Sequence, residues 1–183
     1  MLDEQAFLET IFERPEDDGP RLVYADWLDE HGHTDRAEFI RVQIESSKVA
    51  PRTAAHRAFA KRERALLAKR RTDWFGEFDG WELNKIFAIR RGFVDGIDAY
   101  GQVFLHHMDK HFQRNPIQEV RLEGMKREMA IEVARHPRLA RLRKLEMCKA
   151  EIDANTLREF LASPHAANLT SLAIGDNEIG SEG

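Results

Sequence analysis

The sequence predicts a mixed α/β chain: an N-terminal helical domain, a short β-hairpin cap, and then a small solenoid of strand-turn-helix units. Three observations carry this expectation. Helical periodicity with capping residues fills the first third, a twofold alternation interrupted by Arg-Gly sits in the middle, and one phrase recurs three times towards the end. The third observation is the strongest, because a fixed period of 20 to 50 residues is how stacked repeats appear in a sequence. The copies read Ile117, Val120, Leu122, Met125; then Leu142, Leu145, Met147, Ala150, Ile152; then Leu169, Leu172, Ile174, Asn177, Ile179. Their starts lie 25 and 27 residues apart.

Each copy has apolar residues at alternate positions, which makes it a short strand with one buried face. The segments between copies, Lys126 to His136 and Asp153 to Ser163, space their apolar residues as helices do. The domain plan is therefore 1–72 helical, 73–115 an aromatic hinge with hairpin and helix capping the repeats, and 116–183 about two and a half repeats. With a third strand and turn ending at Gly183, the expectation is a longer array cut short, or an open repeat end covered by a partner or by a second copy as a homo-oligomer.

In the helical part, residues 3–13 form an amphipathic stripe that Pro15 to Gly19 breaks. The next helix is capped by Asp17 or Asp18, carries Pro20 in its first turn, and stops at Gly32. A third begins after Thr34 or Asp35, with Glu38 placed to complete a capping box if Asp35 is the cap. Asp26 and Arg41 fall among the apolar positions of these two helices. A charge on a buried face needs a partner, so Asp26 is expected to pair with Arg41 or Arg36 as a structural contact.

The longest predicted helix covers 53–71, with Ala55, Ala58, Phe59, Ala65 and Leu66 inward and Arg57, Lys61, Arg64 and Arg71 in an exposed stripe. Charge is unevenly placed around it. Residues 1–40 hold 12 acids and 3 bases, whereas 48–71 hold 9 bases and one acid. The two regions are expected to face each other or to face different partners. Trp74 to Trp81 reads as an aromatic core plug, WELNKIFAIRRGFVDGI as strand, turn and strand, and 102–114 as a helix.

The chain is 183 residues long with a net charge of −4 and a single cysteine, Cys148. That excludes an internal disulfide and fits a reducing compartment. The start has neither a basic nor an apolar targeting segment, and no run approaches membrane-spanning length, so the expected location is the cytoplasm. Chemistry-bearing patterns are scarce. His107 and His111 share a helical face beside His106, but Met108 stands where a zinc-protease motif has glutamate, and with Phe104, Leu105, Met108 and Phe112 forming the apolar side the histidines would lie on its rim or in solvent. There is no glycine-rich phosphate loop and no nucleophile elbow. The sequence is read as non-enzymatic, without cofactor or metal.

The phrase RLVYADWLDEHGHTDRAEFIRVQIE resembles the bacterial repeat-companion domain at Arg21, Leu22, Tyr24, Ala25, Asp26, Trp27, Leu28, Glu30, Gly32, Arg36, Ala37, Glu38, Phe39 and Ile40. RRGFVDGI also looks like that family, which implies an architecture in which a helical module precedes repeats, and no activity. LTSLAIGDNEIGSEG resembles a leucine-rich repeat of the ribonuclease-inhibitor type. The resemblance implies that Asn177 hydrogen-bonds the turn backbone, with Ala150 and Met125 in its place in the earlier copies.

In that register Glu119, Arg121 and Glu123, then Lys144, Glu146 and Cys148, then Ser171, Ala173 and Gly175 point out from a concave sheet. A rigid mixed-charge surface of this kind suits recognition of a protein partner. The alternative is a nucleic-acid or anionic-surface binder using the basic helix 53–71, with no aromatic residue interleaved for base stacking.

Overall fold

The computed structural model describes residues 4–78 and 85–180. They form seven α-helices and one five-stranded mixed sheet of order β1-β2-β3-β4-β5, with helices filling the N-terminal part. The chain divides into two compact units, 1–80 with 89–94 and 81–88 with 95–183, so the division passes through the hairpin. The sequence had suggested three segments.

The first unit contains α1 (Glu4–Glu13), α2 (Asp18–Glu30), α3 (Thr34–Lys48) and α4 (Ala54–Phe75). Leu8, Ile11, Tyr24, Ala25, Leu28, Ala37, Ile40, Ile44 and Phe93 are its buried core. Asp17 caps α2 through a 2.8 Å bond from Gly19 N–H, and Gly32 takes the left-handed conformation (φ 81°) that ends a helix. The capping box expected at α3 does not form. His33 stands at the cap without a side-chain bond, while Asp35 and Glu38 are drawn to basic residues of α4. α4 also departs from its expected packing: Leu66 and Phe75 are buried, but Ala55, Ala58 and Ala65 are exposed. Trp74 and Phe75 end α4 and Phe78 is buried in a following 3₁₀ turn; the rest of the aromatic hinge, 79–81, lies outside the described residues.

Strands β1 (Lys85–Arg90) and β2 (Phe93–Tyr100) are joined through Arg91 and Gly92, with φ of 51° and 88°. Two consecutive positive φ values give the tight turn whose twist matches a hairpin. Arg91 at the tip pairs with Glu16 at 2.8 Å and Asp18 at 3.0 Å.

The second unit continues with α5 (Gly101–Arg114), β3 (Glu119–Glu123), α6 (Arg127–Arg135), β4 (Lys144–Glu146), α7 (Ala154–Leu161) and β5 (Ser171–Ala173). β2, β3, β4 and β5 are mutually parallel, as strand-helix-strand connections require. Val120 pairs with Leu145 and Leu145 with Leu172, so the apolar positions stack in register. The turn after each strand also repeats: Gly124, Lys149 and Asp176 have φ of 60°, 55° and 56° and stand 25 and 27 residues apart.

β2 belongs to the same series. Val94, Ile97 and Ala99 are buried at the positions of Ile117, Val120 and Leu122, and α5 follows as the helix of that unit. The expected cap is thus a further strand-helix unit with the phrase blurred.

No helix among the described residues is long and apolar enough to cross a membrane.

Candidate protein-binding face of the parallel sheet

Alternation along each strand buries one set of side chains and presents the other, so register alone assembles a grid. The first row is Gly96, Glu119, Lys144, Ser171, and the second is Asp98, Arg121, Glu146, Ala173. Tyr100 pairs with Glu123 to begin a third row, which Cys148 and Gly175 continue just past the ends of β4 and β5. Every residue assigned to this face from the sequence is brought together here: Glu119, Arg121, Glu123, Lys144, Glu146, Cys148, Ser171 and Ala173.

Within the grid the charges neighbour one another. Lys144 Nζ lies 3.0 Å from Glu119 Oε1. Arg121 is the centre, with Nη1 at 3.7 Å from Asp98 and Nε at 3.5 Å from Glu146. Its guanidinium stacks on Phe87 of β1, 4.1 Å from the ring centroid. Phe87 in turn lies over Gly96, where an added Cβ would come within 2.5 Å of the ring. The side chain of a larger residue at 96 would push the aromatic platform away from Arg121.

Burial raises the Asp98 carboxyl above its ordinary value; Arg121 pulls it down, while Glu123 and Glu146 push it up. Four carboxylates (Asp98, Glu119, Glu123, Glu146) meet three cations (Arg121, Lys144 and Lys85 of β1, which acts on Asp98), leaving the face slightly acidic. Towards β5 the residues shrink to Ser171, Ala173 and Gly175, which leaves backbone accessible beside the charged columns.

Asp98, Tyr100 and Phe87 were not anticipated from the sequence. The signal was present as V-x-x-I-x-A from Val94 to Ala99, the same phrase 23 residues before Ile117.

Asn177 holds the last turn as its resemblance implied. Its side-chain oxygen accepts from Ala150 and Ile152 N–H at 2.7 and 3.2 Å, and its amide donates to the carbonyls of Met147 and Ile174 at 2.8 Å each.

Asp26 pairs with Arg41 at 2.6 Å, and Arg41 also reaches Asp29 at 2.6 Å. The premise of burial fails, however, because the Asp26 side chain is 73% exposed. The inward face of α2 is Arg21, Tyr24, Ala25 and Leu28, and Val23 is exposed. Arg36 does not pair with Asp26. Its guanidinium is instead enclosed by Phe39, Trp74, Phe75 and Phe93 at 5.0 to 5.6 Å, and burial pushes its pKa down to about 10.

Of the histidines of α5, His106 is exposed and His107 half-buried, as expected, and only His111 differs. His111 is fully buried with Phe104, Met108 and Phe112, on the apolar side and not its rim. Among the described residues no group of three or more His, Cys, Asp or Glu is arranged to hold a metal ion.

On α4 the basic residues sort into two sets. Arg62 pairs with Glu38, Lys69 with Asp35 at 2.8 Å, and Arg70 with Asp35 and Asp73 at 2.8 and 3.0 Å. Arg57 and Arg64 bond backbone carbonyls of Arg52 and Ala60, and Arg57, Lys61, Arg64 and Arg71 are all exposed. The acidic and basic regions thus meet through only half of the helix.

Compared with known proteins, the chain matches no family model, no curated sequence and no solved structure.

Proposed function

We propose that this chain is a non-enzymatic scaffold that binds a protein partner across the outward face of its parallel strands. In this reading the strand-helix units are a small leucine-rich-repeat solenoid of the ribonuclease-inhibitor type, the outward face is its concave side, and the N-terminal helices are a repeat-companion module. The observation that carries the reading is the in-register grid of Asp98, Arg121 and Glu146 beside Glu119 and Lys144. Side chains fixed on paired strands lose little freedom on binding, and charged pairs in a defined pattern select a partner more than they tighten it. The excess of carboxylates suits a partner surface with basic side chains; Phe87 and the small residues of β5 add an apolar platform and room for close approach. Recognition by shape and charge is the whole mechanism, with no bond made or broken.

Cys148 is the only cysteine and is half-exposed on this face, which makes it a natural attachment point for a photo-cross-linker. In a nuclease-treated lysate, a cross-linker on Cys148 is expected to capture a defined protein. The same group on a Cys148→Ser, Arg57→Cys variant is expected not to. Equal capture from both positions, or capture only from position 57, contradicts the reading.

A further inference from the structure

From the segregation of charges on α4 we infer that its outer face is a second, independent binding surface, for the phosphate backbone of duplex nucleic acid. With about 100° between successive helical residues, Arg57, Lys61 and Arg64 lie roughly 140° to 200° around the axis from buried Leu66, so they face directly away from the core. They span about 10 Å of axis and none has a carboxylate partner among the described residues, whereas Arg62, Lys69 and Arg70, which have acids beside them, are all neutralised. A face left positive while its neighbours are paired collects anions.

Exposed Ala54, Ala58, Ala65 and Ala68 flank these cations along the helix. Small side chains let the helix backbone come close to a surface while the long basic ones reach past it to phosphates. That composition also selects among anionic partners. A helix that lies in a lipid interface needs large apolar residues to insert, and this face offers only alanine. A single-stranded partner needs aromatic platforms, and none is present on the stripe. A duplex needs neither, and a helix about 10 to 12 Å across fits a major groove about 12 Å wide. Contacts of this kind read charge and shape without base sequence.

The test is fluorescence anisotropy of the full chain with a labelled 30-base-pair DNA duplex of arbitrary sequence, between 50 and 200 mM salt. A matched titration uses vesicles of phosphatidylcholine and phosphatidylserine. Three phosphate contacts predict a slope of log affinity against log salt near −2.7, about 0.9 for each contact. Arg57→Glu, Lys61→Glu, Arg64→Glu is expected to weaken binding at least tenfold. So is the milder glutamine triple, which guards against an effect of reversed charge on folding. Lys126→Glu, Arg143→Glu, Arg158→Glu, the same charge change on exposed residues of the other unit, is expected to bind as wild type. The inference is overturned if wild type fails to bind the duplex at 50 mM salt, if both charge-reversed variants lose affinity equally, or if vesicles bind and the duplex does not. Because these residues are far in sequence from the strands, loss here leaves the Cys148 cross-link unchanged, and failure of either reading is seen separately.

Discussion

The backbone N–H of Gly92 donates to Oε1 of Gln43 at 2.6 Å in a buried setting, while Gln43 Nε2 donates to Glu63 and to the carbonyl of Ile89 at 2.8 and 3.3 Å. One side chain on α3 thereby holds both ends of the hairpin turn. Gly92 is required twice over. Its φ is 88°, and an added Cβ would lie 2.3 Å from Ile40 Cγ1 and 3.1 Å from its Cα. Gly92→Ala is expected to cost about 2 to 4 kcal/mol, because a helix backbone must move as well as a side chain. Gln43→Leu leaves the buried N–H without an acceptor and is expected to cost about 1 to 3 kcal/mol. Denaturant midpoints measure both.

Asp26→Ala is expected to change stability by less than about 1 kcal/mol, since the carboxylate is exposed and Arg41 keeps Asp29. Arg41→Ala removes both pairs and the packing of the arginine stem, so the larger loss belongs to that variant. A melting comparison in low and high salt separates the ionic part, which salt screens.

His111 makes stability depend on pH. Burial pushes its pKa from 6.5 down to about 4, with His107 and Lys110 acting in the same direction. The unfolded chain therefore takes up a proton near pH 6.5 that the folded chain refuses until about pH 4. This contribution is fully present above pH 6.5, is lost as pH falls towards 4, and levels off below. The melting temperature is expected to fall by several degrees across that window. His111→Leu should flatten that part of the profile, while an unchanged slope in the variant would assign it to other groups.

Asn177 bonds five backbone groups across two adjacent turns. Asn177→Ala removes them together, and the expected cost is about 1 to 3 kcal/mol, confined to the end of the sheet. Amide exchange of Ala150 and Ile152 should accelerate while that of Val120 stays unchanged; uniform acceleration would show that the last repeat is not a local unit.

Much of the fold was legible because its signals are periodic. The L-x-x-L-x-L phrases fixed the strands and hence the outward residues of β3 to β5, and Asp17, one of two candidate caps, marked the start of α2. β2 was misread for a physical reason: it takes part in a hairpin and a parallel pairing at once, and the Arg91-Gly92 turn announces only the first. The face of α2 was misjudged because a charged residue, Arg21, sits inward over Phe93 at 5.7 Å, while apolar Val23 faces solvent. Apolar counting cannot locate a core that uses an arginine's stem and its cation–π contact. Pairings across helices, such as Arg62 with Glu38, had left only the uneven distribution of charge as a trace in the sequence.

The central claim is that the outward sheet face selects a protein partner through its charge pattern. The most direct measurement is affinity capture from nuclease-treated lysate with wild type and with Arg121→Glu, Glu146→Lys, a swap that keeps the two residues opposite in charge while inverting the pattern. The account predicts a defined protein recovered by wild type, lost by the swap, and retained by Arg57→Glu, Lys61→Glu, Arg64→Glu. Recovery undiminished by the swap, or abolished only by the triple variant, would contradict it.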